Sequence, residues 1–270
     1  MHELLNCLGT RQRRGSKPRC HWITHGSRQE VSSRLTSLVN PWGNFSPDSI
    51  WMPQGFSQTE EAELHKADKL LPESDRQQIR EWWFKVIRGH QTGPSFDIAA
   101  VHDPASGKKC ILLVEAKAYD QELIGEEKGK SMEANATSAA RENHSYIGAA
   151  IAGANASLGR ETGLRWSLSH SERYQMSNRF ASACKLTELG WSVILVYLGF
   201  CNAMEMRQGR NHPFADHKEW EAQVKTHSHV LFPDQVWNSR MSINGQDFIP
   251  LIRSIEISYE QSCEAFEVTG

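Results

Sequence analysis

The sequence predicts an α/β fold in which helices cover both faces of a central sheet. Residues 110–119 are apolar on both faces as far as Glu115, a pattern typical of a strand buried between two layers. Residues 95–102 predict a second strand, which a short turn-forming segment joins to the first. Residues 172–189 have a helical pattern and lead through a glycine into an apolar strand at 191–200, the connection expected in an α/β unit.

The composition excludes several classes of protein. The chain has 270 residues, a mean hydropathy of -0.54 and no apolar stretch of about 18 residues, so we expect neither a transmembrane helix nor a membrane partner. The arginines near the N-terminus are not followed by an apolar block, so no secretory signal is expected. The 6 cysteines are scattered and form no C-x-x-C pair, which predicts a cytoplasmic protein without a zinc ribbon.

Residues 1–56 predict a small N-terminal extension with one helix. Apolar residues recur at helical spacing between residues 28 and 39, and Pro41 follows them. The net charge of the chain is -2, which does not favour a protein that coats nucleic acid, but this segment is locally basic. It either contacts phosphates or forms a solvated, partly disordered arm. Its basic residues are Arg11, Arg13, Arg14, Lys17, Arg19, Arg28 and Arg34.

Residues 57–88 predict two helices. The first has a capping serine or threonine, and Glu61 lies in its opening turn, where a carboxylate favours the helix dipole. Pro72 ends the first helix, and the second begins near Glu73. The apolar stripe of the second helix consists of Ile79, Trp82, Trp83 and Val86.

Three further segments complete the predicted elements. Residues 120–158 are rich in alanine and predict helix, and residues 203–247 predict helix and loop. Residues 248–257 predict a last strand. We expect it at an edge of the sheet, because Pro250 has no N–H to donate to a neighbouring strand.

The hairpin carries the residues that point to chemistry. Side chains alternate along a strand, so Glu115 and Lys117 share one face. The turn between the strands contains Asp103, Pro104, Ser106 and Gly107. A symmetric hairpin centred on residue 106 places Asp97 opposite Glu115, with Cβ atoms about 5 Å apart.

Two facing carboxylates in an apolar setting require a positive charge between them. Mg²⁺ suits this position, because it binds one or two carboxylates and keeps waters and substrate phosphate oxygens as its other ligands. We expect Asp97, Glu115 and the carbonyl oxygen of Ala116 to hold the ion and Lys117 to polarise a water aimed at phosphorus. The alternative is a salt bridge in which Lys117 only neutralises Asp97 or Glu115.

These residues resemble the PD-(D/E)xK nuclease superfamily. The motif stands as P-S-F-D at 94–97 and E-A-K at 115–117, and the surrounding order of helix, hairpin, helix and strand spans about 57–200. One departure is that Phe96, not a proline, directly precedes the aspartate. The resemblance implies a three-layer α/β/α core with a mixed central sheet, like that of restriction endonucleases, within a domain of residues 57–270. It also implies divalent-metal hydrolysis of phosphodiester bonds, with two metal-binding acids and a catalytic lysine at Asp97, Glu115 and Lys117.

The resemblance suggests further site residues on two helices. Many members add a glutamate from the helix before the hairpin. Of the candidates Glu61, Glu63 and Glu81 we favour Glu61, because Glu81 lies opposite the apolar stripe; the alternative for Glu61 is an exposed carboxylate that only helps the helix dipole. Some relatives carry polar residues on a later helix, which here either bind substrate or form a surface network. These residues are Tyr174, Gln175, Asn178 and Arg179.

The first functional hypothesis is a Mg²⁺- or Mn²⁺-dependent hydrolase that cuts nucleic acid, with DNA as the expected partner and defence or repair as the expected role. Dimerisation is common in double-strand cutters and stays open. The second hypothesis is a catalytically silent nuclease fold that acts as a nucleic-acid-binding or scaffold module. Trp42 and Trp51 are candidates for base stacking. A phosphate-binding loop, a dinucleotide fingerprint and a serine-nucleophile elbow have no match in the sequence.

Overall fold

The computed structural model describes residues 4–8, 13–87, 91–102, 107, 109–125, 128–130, 132, 135–257 and 268–270. The helices are α1 (Ser16–Ile23), α2 (Arg28–Val39), α3 (Glu73–Trp83), α4 (Asp120–Ile124), α5 (Ser138–Thr162), α6 (Tyr174–Glu188) and α7 (His217–Ser228). The strands are β1 (Ile50–Met52), β2 (Ala62–Glu63), β3 (Ser95–Phe96), β4 (Ile98–Val101), β5 (Cys110–Lys117), β6 (Ser192–Cys201), β7 (Met241–Ile243), β8 (Gln246–Glu256) and β9 (Val268–Thr269).

The main sheet is mixed, as predicted, and the α/β class is confirmed. Its strand order is β1-β4-β5-β6-β8-β7, and β9 also pairs with β8. Strands β5, β6 and β8 are parallel to their neighbours in this set, whereas β1, β4, β7 and β9 are antiparallel to theirs. Strands β2 and β3 form a separate two-stranded sheet. No helix in the described residues is both long enough and apolar enough to cross a membrane.

Strand β5 lies between β4 and β6, and its side chains alternate between two hydrophobic cores. Ile111 and Leu113 belong to the core formed with α3, α5 and α6, which we call the helical face. Leu112 and Val114 belong to the core formed with α1 and α2, which we call the N-terminal face. Full burial of a side chain of this size stabilises the fold by about 1.5–3 kcal/mol. The predicted central strand with helices on both sides is therefore confirmed.

The N-terminal segment supplies the layer on the N-terminal face, and β1 pairs with β4 in the main sheet. Arg19 is buried and donates to the Glu205 carboxylate at 2.5 and 3.0 Å. Arg34 is buried and donates to backbone carbonyl oxygens, and Arg28 lies 4.8 Å from the ring of Trp51. The prediction of a solvated or phosphate-binding arm is wrong for Arg19 and Arg34, because both are buried and bonded within the protein, whereas Arg28 is exposed. Trp51 is buried, so base stacking on it is excluded.

The predicted helices have mixed outcomes. Helix α2 has the predicted bounds and begins with a reciprocal capping box between Ser27 and Glu30. Helix α3 begins at Glu73 as predicted. The helix predicted before it is wrong: residues 58–71 form turns and the short strand β2. Ala62 is fully buried beside Phe96 in the paired strand β3, and this pairing overrides the local helical pattern.

Strand β8 is not an edge strand, contrary to the prediction from Pro250. Strand β6 pairs along one side of β8, and β7 and β9 pair along the other. Pro250 lies in the gap between β7 and β9, where Asn238 takes the place of a neighbouring strand. The Asn238 N–H donates to the carbonyl oxygen of Pro250 at 2.8 Å, and its side-chain oxygen accepts from the N–H of Ile252 at 3.1 Å. Pro250 therefore lacks an N–H at a position where no neighbouring strand would accept a hydrogen bond from it.

Candidate active site

The candidate site lies at the end of β5, where the hairpin strands separate. Ile98 pairs with Val114, and this register has the predicted centre at residue 106. The turn residues 103–106 lie outside the described residues. The prediction that Asp97 pairs regularly with Glu115 is wrong. The Asp97 N–H instead donates to the carbonyl oxygen of Val114, the residue that already pairs with Ile98, at 3.0 Å. The strand therefore bulges at Asp97, a feature found often beside active sites.

The Asp97 carboxylate replaces the strand contact that the bulge removes. Its Oδ2 accepts a hydrogen bond from the backbone N–H of Ala116 at 2.8 Å. Within the described residues, its Oδ1 has no hydrogen-bond partner. Directly before the bulge the chain forms β3, which pairs with β2 and not with β5. Asp97 thus stands at the junction of the two sheets with one carboxylate oxygen available.

Glu115 is buried between two cations. Its Oε1 accepts from Lys117 Nζ at 2.5 Å, and its Oε2 accepts from Arg179 Nε at 2.5 Å. Arg179 comes from α6, and its guanidinium also lies 5.0 Å from the ring centre of Phe96. All three charged side chains are less than a tenth exposed. The ion pair between Lys117 and Glu115 is the contact that the salt-bridge alternative predicts, and the arginine adds a second one.

The two acids have opposite electrostatic environments. Burial raises the pKa of Asp97 to about 7, and the nearby Glu115 carboxylate raises it further than Lys117 lowers it. Burial also disfavours the charged form of Glu115, but Arg179 and Lys117 outweigh this effect and lower the pKa to about 2. Glu115 is therefore ionised at neutral pH, whereas the Asp97 carboxyl group has a pKa close to neutral pH. An added cation would favour the ionised form of Asp97.

A glycine shapes the wall beside Lys117. Gly199 pairs with Lys117 across β5 and β6, and a Cβ atom at Gly199 would lie 2.5 Å from the ring of Trp220. The fully buried Trp220 ring fills the space above this glycine and donates from its indole N–H to the carbonyl oxygen of Tyr197 at 3.3 Å. The wall of the site on this side is a close contact between backbone and indole.

We expect Gly199→Ala to lower the free energy of unfolding by about 2 kcal/mol, because the added methyl group overpacks a rigid ring. Gly153→Ala is the matched control: Gly153 is in α5 and a Cβ there meets nothing within 4 Å. The control should be neutral or stabilising by up to about 1 kcal/mol. Urea unfolding followed by tryptophan fluorescence measures both. An unchanged midpoint for Gly199→Ala would show that Trp220 moves freely.

Helix α6 places the other predicted polar residues unevenly. Asn178 is buried and accepts a hydrogen bond from the Ser182 hydroxyl at 3.1 Å. Tyr174 is half-buried, and burial raises its pKa to about 12. Gln175 is exposed. Of the four predicted residues, Arg179 is the one that contacts Glu115.

Glu61 lies beside the site but not on a helix. Its neighbour Ala62 pairs with Phe96, so the register brings Glu61 next to Asp97. Its charge contributes to the raised pKa of Asp97, after burial and the nearer charges. Its carboxylate is exposed and pairs with Lys17 of α1 at 2.9 Å. Of the other candidates, Glu81 is exposed on α3 as expected.

Sequence reasoning missed Glu122, which lies five positions after the motif lysine. Its Oε2 accepts from the Ala118 N–H at 2.6 Å, and its Oε1 lies 3.5 Å from the Ser16 hydroxyl. Burial raises the pKa of Glu122, and the hydrogen bond from Ala118 and the charge of Lys117 oppose this shift. The only signal in the sequence is the acidic run D-Q-E directly after β5. Helix α1 therefore contacts the end of β5 through this acid.

Two further findings concern the metal-binding capacity of the site and the similarity of the chain to known proteins. Within the described residues, no three acidic, histidine or cysteine side chains form a group that could hold an ion unaided. Two carboxylates with waters and phosphate oxygens are a usual set for Mg²⁺, so this finding leaves such a site open. Comparison of the chain with protein-family models, with curated proteins and with solved structures gives no match.

Proposed function

We propose that the protein is a metal-dependent nuclease of the PD-(D/E)xK type with a restriction-endonuclease-like core. The observation that supports this most is the placement of Asp97, Glu115 and Lys117. The Glu115 carboxylate lies close enough to Asp97 to raise its pKa, and the Lys117 ammonium lies beside Glu115 at the point where the strands part. We further propose that DNA is the substrate and that the protein acts in defence or repair.

The residues fit a hard divalent cation. Asp97 offers one oxygen without a partner in the described residues, and burial together with the Glu115 charge raises its pKa, an effect that a bound cation would oppose. Glu115 offers a second carboxylate within the same small space. The carbonyl oxygen of Ala116 stays the proposed third protein ligand. When bound, Mg²⁺ or Mn²⁺ would stabilise negative charge on the phosphate and lower the pKa of a water.

Each protein group then has a defined task. The Lys117 ammonium contacts Glu115 Oε1 and would hold a water for attack at phosphorus, while a bound cation would supply neutralising charge to the carboxylates. Arg179 keeps Glu115 ionised and oriented through Oε2. The Ala116 N–H fixes the Asp97 carboxylate, so the two acids keep a constant spacing. Tyr174 and Asn178 are proposed to support substrate binding, and Glu61 to assist at the open side.

Incubation of the protein with DNA substrates should give cleavage with Mg²⁺ or Mn²⁺ and none with EDTA. Lys117→Met should reduce the rate about 100-fold, because it removes the proposed proton-handling group and keeps the length of the side chain. Lys185→Met, on an exposed pair with Glu188, is the control and should cut at the wild-type rate. A Lys117→Met variant that is as active as wild type would refute the role given to this lysine.

A second function is favoured by one observation. Both oxygens of Glu115 are already occupied by cationic side chains, so the described network is neutralised without a metal. Such an arrangement suits a catalytically silent nuclease fold that binds nucleic acid or acts as a scaffold. Calorimetry with Mn²⁺ distinguishes the two: heat of binding that disappears in Asp97→Asn supports the enzyme, and its absence in wild type supports the silent fold.

A further inference from the structure

A lysine-containing segment is fixed alongside the start of α6. Lys128 forms an isolated β-bridge with Glu172, and the Lys130 N–H donates to the carbonyl oxygen of His170 at 2.7 Å. Between them, a Cβ atom at Gly129 would lie 2.2 Å from the carbonyl oxygen of Ser171, so only glycine allows this close approach. The backbone of residues 128–130, which we call the lysine strap, therefore has a defined position.

The Lys130 ammonium forms no ion pair or hydrogen bond with any residue that the structure describes, and the side chain is half-buried. Its Nζ lies 4.9 Å from the ring centre of Tyr174, and burial lowers the pKa of its ammonium. Lys130 and His144 also line a cavity of about 390 Å³, and the His144 Nε2 is fixed 3.0 Å from the carbonyl oxygen of Lys130. A half-buried cation beside an open cavity is a binding group for an anion.

The position of Lys130 relative to the candidate site indicates which anion. Lys130 lies over the ring of Tyr174, the first residue of α6, and Arg179 of the same helix contacts Glu115. Tyr174 and Arg179 are separated by about 7 Å along the helix axis, so Lys130 lies beside the part of α6 from which Arg179 reaches the proposed metal ligand. A nucleic-acid strand with its scissile phosphate at the acids would present a neighbouring phosphate in this direction.

We propose that Lys130 binds a backbone phosphate of the substrate strand next to the phosphate that is cut. This inference rests on the proposed nuclease function and adds that the substrate is a polynucleotide strand, which the protein contacts beyond the reacting phosphodiester. The cation–π contact with Tyr174 and the fixed lysine strap hold the ammonium in place before the strand binds. Preorganisation of this kind lowers the ordering cost of binding.

The test compares binding of a long substrate with turnover of a small one. Binding of a fluorescent 20-nucleotide DNA strand is measured by anisotropy in Ca²⁺ at several salt concentrations, and turnover of bis(p-nitrophenyl) phosphate is measured in Mn²⁺. We expect Lys130→Gln to weaken DNA binding at least 5-fold and to reduce the slope of log affinity against log salt by about 1. Small-substrate turnover should stay within about 2-fold of wild type. Lys130→Arg should restore DNA binding, and Lys218→Gln, an exposed lysine on α7, is the control.

The outcomes separate the two proposals. Wild-type turnover of the small substrate with unchanged DNA binding by Lys130→Gln overturns the phosphate contact and leaves the nuclease function standing. Absence of turnover in wild type, together with loss of DNA binding in Lys130→Gln, supports the phosphate contact and overturns the catalytic function. An equal loss of DNA binding in Lys218→Gln would show a general charge effect and would also overturn the specific role of Lys130.

Discussion

Asp97→Asn is expected to abolish metal-dependent cleavage and at the same time to stabilise the metal-free protein. The asparagine side-chain oxygen can still accept from the Ala116 N–H, so the bulge is kept. The variant removes the negative charge that burial and Glu115 disfavour at neutral pH. A pKa raised this far corresponds to a few kcal/mol, at about 1.4 kcal/mol for each pH unit. Partial solvent access at Asp97 reduces the expected gain to about 2 kcal/mol.

The sign of the pH dependence follows from linkage. The folded protein holds the Asp97 proton up to a pKa of about 7, and the unfolded chain releases it near pH 4. This group therefore contributes stability below about pH 4 that is lost as the pH rises to about 7. Glu115, with a pKa lowered to about 2, contributes stability above its unfolded pKa that is lost as the pH falls towards 2. The advantage of Asp97→Asn over wild type should therefore grow between about pH 4 and 7.

Thermal unfolding in EDTA across this pH range measures the effect, with Asp68→Asn, an exposed aspartate, as the control. Saturating Mn²⁺ should raise the Tm of wild type and leave that of Asp97→Asn unchanged. A Tm of Asp97→Asn below that of wild type at pH 8 in EDTA would contradict the raised pKa. Equal stabilisation of both proteins by Mn²⁺ would exclude Asp97 as a metal ligand.

Arg179→Met is expected to lower the free energy of unfolding by about 3 kcal/mol. The substitution keeps much of the side-chain length but removes one of the two cations that neutralise the buried Glu115. Loss of one partner from a buried ion pair usually costs about 3–5 kcal/mol, because the remaining charge is left in a poorly solvated place. Lys117 stays on Oε1 of Glu115, which places the expectation at the lower end of that range.

Arg240→Met is the matched control for the arginine prediction. Arg240 forms an ion pair with Asp247 at 2.5 Å, but its side chain is 61% exposed, so its loss should leave the free energy of unfolding close to that of wild type. The double variant Glu115→Gln/Arg179→Met should be more stable than the sum of the two single effects predicts, since it leaves neither an unpaired carboxylate nor Arg179 itself. Chemical denaturation of wild type, Glu115→Gln, Arg179→Met and the double variant measures this coupling energy. Additive effects would mean that Glu115 and Arg179 do not interact in solution.

The strand pattern and register of the sheet could be predicted because burial there follows a simple rule. Strand β5 is apolar on both faces until Glu115, and such a run has a stable place only between two layers of helices. The hairpin register is similarly constrained, because a slip of one residue would turn Leu113 and Ala99 to the wrong face. These are local consequences of alternating side chains, and they brought the two acids into the same region.

The features that were not predicted depend on contacts between distant segments. Arg19 pairs with Glu205 of a short 3-10 helix late in the chain, and nothing in a basic N-terminal run distinguishes such a partnered arginine from a solvated one. The segment around Glu61 has helix-forming residues, but Ala62 pairs with Phe96 from a strand more than thirty residues away. Pro250 indicated an edge because a single sequence does not reveal that Asn238 fills the gap beside it.

The bulge at Asp97 gives the motif a second reason to persist. The same carboxylate that is proposed to hold the ion also ends a strand by capping the Ala116 N–H, and the lysine and arginine beside it keep a buried acid neutralised. A related chain without turnover would still need Lys117 and Arg179 to neutralise the buried Glu115 carboxylate. The motif residues in a related protein would therefore indicate a shared fold. Only a measurement of metal-dependent cleavage would show that the protein is an enzyme.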